Sequence, residues 1–546
     1  MTDQPTRRPN IIICLVDDLG FSDLGSYGSS LLTRNIDALA SNGIRCTQMY
    51  NSARCCPSRA ALLTGLHPHQ AGVGHMTADY GIDSYQGYLN DRCVTIAEVL
   101  RTAGYRTLMS GKWHVGGNFH PPVPEFGWPT GEEGYPTPRQ RGFDRFFGIW
   151  GGYSSFFNPD SLGLDDTPIK AETPDFYLTE EITNHAIQMI DEGSDSDAPF
   201  FLYLSYTAPH WPLHALEEDI AKYEGAFRQG WDAERTARHE SQKSMGLLDE
   251  KWQISPRDED APDWNDVRHK DWEDLRMAVY AAQVDRVDHG IGRIMGRLRE
   301  LGEYDDTLFM FLSDNGGCAE LFREDNDIPV PSIYSTPTVD GRPVTSGNIP
   351  GVRPGPDDTF MSYDLPWANV SNAPFRLFKS WMQEGGISTP FIVHWPRVIG
   401  QPSIDHSTMY ITDITATCID AAGATYPTEY QGRQITPIEG ESFLQMLQGR
   451  DWQREAPIFW EHEGNRAVRI GEWKLVSEYG LAWELYNMDE DRTELNDLSS
   501  GDADRARRMT RLYEEWAARC QVMPWPVDPR SRSGKYPTLG KHNYIA

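Results

Sequence analysis

Four short polar clusters in this chain each follow an apolar run. Asp17 and Asp18 follow "NIIICLV" (Asn10–Val16), and Lys112 and His114 follow "YRTLMSG". His210 follows "PFFLYLSY", and Asp314, Asn315 and two glycines follow "TLFMFLS". Asp17, Asp18, Asp314 and Asn315 are hard oxygen donors, a set suited to Ca2+ or Mg2+, whereas zinc would want His or Cys. Adjacent carboxylates in an apolar setting repel one another without a cation. Calcium tolerates the looser oxygen shell, so Ca2+ is expected ahead of Mg2+ or Mn2+. One such pair after a strand is commonly a turn or cap. Four clusters behind four strands are better read as one site.

A fifth stretch, "NSARCCPSRAALLTG" (Asn51–Gly65), puts two cysteines at the mouth of a helix. Pro57 suits the first turn and Gly65 the end, which places Cys55 just before the N-terminus. Free N–H groups there favour negative charge. Arg59, within a turn, adds a fixed cation able to hold an oxyanion. Cys56 reads as buried packing. A plain thiolate nucleophile is one reading of Cys55, though it is a poor partner for a hard cation.

Buried apolar runs alternate with helical patterns such as "TRNIDALASNG" and "VTIAEVLRTAG". This predicts an α/β fold with a large, mostly parallel sheet flanked by helices on both faces. In such sheets ligands bind beyond the carboxyl ends of the strands, where the clusters lie. "TPFIVHW" (Thr389–Trp395) is a further strand. Residues 120–176 and 318–372 read as inserted walls or lids, and residues 217–271 as an exposed helical excursion. The expected domains are a catalytic unit over residues 1–426, a smaller α+β subdomain over 427–523 with a small sheet, and an irregular tail over 524–546.

The net charge is −30, from 50 basic and 80 acidic residues, which disfavours nucleic acid and acidic membranes. No run reaches the roughly 20 apolar residues of a membrane span. "MTDQPTRRPN" has no signal-like apolar core, and the eight cysteines include no CxxC pair. The expectation is a cytoplasmic protein with reduced thiols. The tail makes a homo-oligomer an open expectation.

Cys55-Cys56-Pro57-Ser58-Arg59, with Leu63-Thr64-Gly65 after it, resembles the signature of the type I sulfatase family, a branch of the alkaline-phosphatase-like superfamily. "DDLGFSDLGSYG" is similar to that family's N-terminal metal segment, and "GYRTLMSGKWHVG", "TAPHWP", "SDNGG" and "KSWMQEGGISTPFIVHWP" to its later blocks. "RAVRIGEWKLV" and "WELYNMDEDRTELNDL" are similar to its C-terminal subdomain. The spacing of "APFRLFK" looks most like the bacterial cytosolic arylsulfatases. The resemblance implies that Asp17, Asp18, Asp314 and Asn315 bind Ca2+, and that a modification system oxidises Cys55 to formylglycine. Its hydrate attacks the sulfur of a small-molecule sulfate ester and passes through a covalent sulfoenzyme. Arg59 and Lys112 steady the hydrate, and His114 assists it. His210 and Lys379 contact the sulfate and leaving oxygen. Ser388 stands where the family often has Arg, which puts a local ion pair in question. Two rival readings are a phosphonate monoester or phosphodiester hydrolase using the same nucleophile, and a scaffold that kept only the fold.

Overall fold

The computed structural model describes residues 7–117, 136–322 and 337–527. At its centre is a ten-stranded mixed sheet. The strand order is Ser403–Tyr410, Ile44–Tyr50, Ser388–His394, Thr307–Ser313, Asn10–Val16, Phe200–Ser205, Arg106–Gly111, Arg145–Ile149, Leu162–Leu164 and Thr167–Pro168. Asn10–Val16 runs parallel to both neighbours and is buried at every residue. Its side chains alternate between two cores: Ile12 and Cys14 face one, Ile11, Ile13 and Leu15 the other. A strand covered on both faces needs no polar alternation, which is why it reads as one apolar run.

Helices Arg34–Ser41, Leu178–Asp191 and Lys270–Glu300 cover the first face. Helices Cys55–Thr64, Ile96–Thr102 and Ile411–Ala421 cover the second. Ile36, Leu39 and Ala40 are the buried face of the first helix, as their spacing predicts. Ile96–Thr102 starts on a capping box in which the Thr95 side chain accepts from Glu98 N and Glu98 Oε2 accepts from Thr95 N.

One strand runs against the rest of the sheet's centre. Ser388–His394 is antiparallel to both Ile44–Tyr50 and Thr307–Ser313. Its N-terminal end therefore lies at the edge where its neighbours end. The approach to it is tight: a Cβ at Gly316 would meet Gly385 O at 1.8 Å, so the two glycine pairs let the backbones touch.

Two expectations about insertions need correction. Part of residues 136–176 belongs to the main sheet, because Arg145–Ile149 joins parallel to Arg106–Gly111 and two short strands extend that edge. Residues 217–271 are not simply an exposed excursion. Helix Trp231–Ser244 buries Trp231, Arg238 and Gln242, and Arg238 Nη1 donates to Asp23 Oδ1 at 2.6 Å. Polar side chains buried by pairing leave no apolar stripe in the sequence.

The C-terminal sheet is an antiparallel meander of Ile458–His462, Asn465–Ile470, Trp473–Ser477 and Glu484–Asn487. Helix Ala503–Arg519 lays Met509, Tyr513 and Trp516 on Val468, Leu475 and Leu485. A fully buried ionic knot joins this sheet to the main one. Lys474 Nζ lies 2.8 Å from both Glu384 Oε1 and Glu494 Oε1, and Arg492 Nε lies 3.2 Å from Glu384 Oε2. Arg492 Nη2 also donates to Ser388 Oγ at 2.8 Å. A guanidinium from a remote segment thus stands beside the serine that the resemblance singled out. Of the predicted tail, residues 528–546 lie outside the described residues. Among those described, no helix is long and apolar enough to cross a membrane.

Candidate active site

The reversed strand completes a ring of side chains at one sheet edge. Asp17 and Asp18 leave Asn10–Val16, Asp314 and Asn315 leave Thr307–Ser313, and Lys112 and His114 leave Arg106–Gly111. His210 follows Phe200–Ser205, and the Cys55 helix follows Ile44–Tyr50. Lys379 sits upstream of Ser388–His394 and reaches the same edge because that strand points the other way.

The helix begins at Cys55 itself, with Arg54 as its N-cap, one residue earlier than the sequence suggests. Pro57 falls within the first four residues, whose N–H groups have no intrahelical partner. Gly65 closes the helix at φ 70°, its N–H on Ala61 O. Cys55 is 2% exposed, and its sulfur lies within 4.8 Å of ligand atoms of Asp17, Asp18 and His210. Burial alone would raise the Cys55 thiol, but Lys379 and Lys112 outweigh it and draw its pKa down to about 7. Burial pushes Cys56 well up, as expected of packing.

Arg59 is wholly buried and fully engaged. Its Nε and Nη2 donate to Asp314 Oδ2 at 3.0 and 2.7 Å, and its Nη1 donates to Lys112 O and Ser205 Oγ. Lys112 Nζ donates to Asp17 Oδ2, and Lys379 Nζ donates to Asp18 Oδ2 at 2.8 Å. His210 Nε2 is 3.3 Å from Lys379 Nζ and 3.4 Å from Asp18 Oδ2. His210 Nδ1 lies 2.6 Å from Trp211 O, which can only accept, so Nδ1 carries a proton. Lys112 and His114 leave their strand together. The His114 ring lies against Gly152, where a Cβ would meet Nε2 at 2.2 Å. Asp18, Ala53, His114 and Ser380 all take positive φ, a strained conformation for non-glycine residues that collects at functional sites.

The oxygen cluster fits a divalent cation. Asp17 Oδ1 and Asn315 Oδ1 are buried with no hydrogen-bond partner among the described residues. Asn315 Nδ2 donates to Asp18 Oδ1 at 2.7 Å, which leaves its amide oxygen to serve as a donor to metal. Burial opposes ionisation of Asp17, but Lys112, His210 and Arg59 hold it well below the usual carboxylate range. Burial and the Asp17 carboxylate push Asp314 up. A hard dication held there would offset the repulsion that burial and the Asp17 carboxylate impose on Asp314.

Several supporting residues were not read from the sequence. Asp23 holds the acid loop from behind by accepting from Gly20 N and Tyr280 OH at 3.0 and 2.7 Å, besides Arg238. Arg54 pairs with Glu320 at 3.0 Å, and Glu320 accepts from Trp211 Nε1 at 2.6 Å. Arg54 adjoins Cys55 in the chain and was within reach of sequence reasoning; Glu320 had no signal. His214 is structural. Its Nδ1 accepts from Phe156 N and its Nε2 donates to Thr359 O, so it braces one wall segment against the other.

The family model described as Sulfatase matches residues 9–424. The chain belongs to the sulfatase family. A second model, N-sulphoglucosamine sulphohydrolase, C-terminal, matches residues 375–518. An uncharacterized sulfatase of Schizosaccharomyces pombe is 31% identical, covering 96% of each chain. The arylsulfatase of Klebsiella aerogenes is also 31% identical, over 83% of this chain and 95% of that one. The crystal structure of Ps i-CgsB shares the fold, with a TM-score of 0.65, 24% identity and 93% of each chain covered. Membership makes the chain a sulfuric ester hydrolase, of a family that works with formylglycine and a divalent metal.

Proposed function

We propose that this sulfatase hydrolyses aryl sulfate monoesters, with Cys55 in its formylglycine form as nucleophile and Ca2+ held by Asp17, Asp18, Asp314 and Asn315. The observation that carries the reading is the meeting of Cys55, Lys112, His210 and Lys379 over that oxygen cluster. When present, Ca2+ supplies a fixed charge for the sulfate oxygens, and a formylglycine hydrate supplies two hydroxyls on one carbon, one to attack sulfur and one to expel sulfate. Lys112 and Lys379 bind the outer sulfate oxygens through charge-assisted hydrogen bonds. His210 offers its Nε2 proton to the departing oxygen. His114 takes the proton released as the sulfate leaves. Arg59 ties the nucleophile helix to Asp314 and fixes the approach.

Aromatic rings beside His210 support the aryl preference. Trp211 lies 4.3 Å from the His210 ring centre, with Tyr153 at 4.9 Å, Phe322 at 5.0 Å and Phe360 at 5.9 Å from Trp211. Tyr153 and Phe322 come from the two wall segments and are part-exposed. Similarity to the arylsulfatase of Klebsiella aerogenes supports the same preference. The reading requires a formylglycine-generating modification system. It also takes the protein to be cytoplasmic, where the seven buried thiols other than Cys55 are at home.

Peptide mass spectrometry on active protein, joined to a substrate panel, tests this. Conversion of Cys55 and the highest kcat/KM on 4-nitrophenyl sulfate are expected, ahead of sulfated monosaccharides and an aryl phosphonate ester. An unmodified Cys55 in fully active protein overturns the nucleophile. A preference for a sugar sulfate or the phosphonate overturns the substrate class.

A further inference from the structure

A second group of ligating side chains meets where the C-terminal sheet touches the loop after the nucleophile helix. His75 in that loop, and His462 and Glu463 at the hairpin between Ile458–His462 and Asn465–Ile470, each place one donor atom within 4.8 Å of the others. His75 Nε2 is 2.9 Å from Glu463 Oε1, and His462 Nε2 is 3.9 Å from the same oxygen. The Tyr80 hydroxyl meets His75 Nδ1 at 3.3 Å, which orients the ring with Nε2 toward the cluster. His462 is 0% exposed, yet neither ring nitrogen has a hydrogen-bond partner among the described residues. A buried imidazole with both nitrogens unmet calls for an explanation. The turn adds a second point. Glu463 and Gly464 have φ of 53° and 79°, as a two-residue type I′ hairpin requires. Asn, Asp or Gly usually fills such a turn; here a glutamate puts its carboxylate over the two imidazoles.

We propose that His75, His462 and Glu463 bind a transition-metal ion of the zinc class that pins the C-terminal hairpin to the catalytic domain. Two imidazoles and one carboxylate suit Zn2+ and not Ca2+, so this site is chemically separate from the oxygen cluster. It bears on the nucleophile through a short chain of contacts. Asn465 Nδ2 donates to Ser380 O at 3.1 Å, Ser380 N to Ala53 O at 2.7 Å, and Arg54 Nη1 to Ser380 Oγ at 2.7 Å. The ion stiffens the hairpin that braces the backbone beside both Cys55 and Lys379.

The test uses the full chain, stripped of metal, reloaded with Ca2+ and titrated with Co2+ and then Zn2+. One further equivalent of Co2+ is expected, with visible absorption bands that Zn2+ abolishes. Glu463→Gln is expected to weaken this binding by at least about 10–100-fold, the effect that loss of a mere supporting partner already has. His75→Gln/His462→Gln is expected to remove it, with Ca2+ affinity unchanged in both variants. Absence of saturable binding in the wild type overturns the proposal, as does undiminished binding in the Glu463→Gln protein. The glutamate variant, altered only at a turn, decides the matter if the double variant fails to fold.

Discussion

Replacing His210 by Gln separates proton donation from sulfate binding. Gln keeps a hydrogen-bonding side chain but cannot act as an acid. The Nδ1 proton is committed to Trp211 O, so the only proton His210 can offer is on Nε2, beside Lys379 and Asp18. A positioned general acid contributes about 10²–10⁴-fold, or about 3–5 kcal/mol of barrier. That contribution exists only when the leaving oxygen needs a proton. The assay is kcat/KM across a series from 4-nitrophenyl sulfate, whose phenolate leaves unaided, through phenyl sulfate to an alkyl sulfate. His210→Gln is expected to lose less than about tenfold on the first and about 10²–10⁴-fold on the others. A uniform loss along the series refutes the assignment and leaves His210 as a sulfate-binding group.

Lys474→Met leaves Glu384 and Glu494 facing each other in a buried knot. Breaking a buried pair by removing one partner costs about 3–5 kcal/mol, so limited proteolysis should release the C-terminal subdomain sooner; unchanged digestion contradicts this. Burial holds the His214 pKa at about 4, below its ordinary 6.5. Between those values the unfolded chain binds more protons, so stability falls as pH drops from 6.5 toward 4, by about 3 kcal/mol for this group. His214→Gln should lessen the fall in melting temperature across that window, and an unchanged slope would count against the assignment. Chelation should lower the melting temperature, with Ca2+ restoring about 2.7 kcal/mol at a hundredfold excess over Kd. Asp314→Asn should blunt that recovery, and a melting temperature indifferent to chelation argues against a cation-held cluster.

The acids and bases at strand ends were legible because each directly follows an apolar run, and a strand buried on both faces declares itself. Lys379 was legible only through family resemblance. Periodicity cannot give a strand's direction, and Lys379 reaches the site only because Ser388–His394 is reversed. The burial of helix Trp231–Ser244 was hidden because Arg238 and Gln242 are buried by partners, not by apolar character. The link from Arg492 to Ser388 crosses the two sheets, and nothing local in either segment marks it.

Cys55 is 2% exposed, enclosed by residues that enter the chain as late as Lys379. At that exposure the finished fold does not present the Cys55 side chain to a second enzyme. On the proposed function, the window for converting Cys55 would open when the residue is synthesised and close when the reversed strand docks. Modification and folding would then be in a race, and the yield of active molecules would depend on which is faster as well as on how stable the product is.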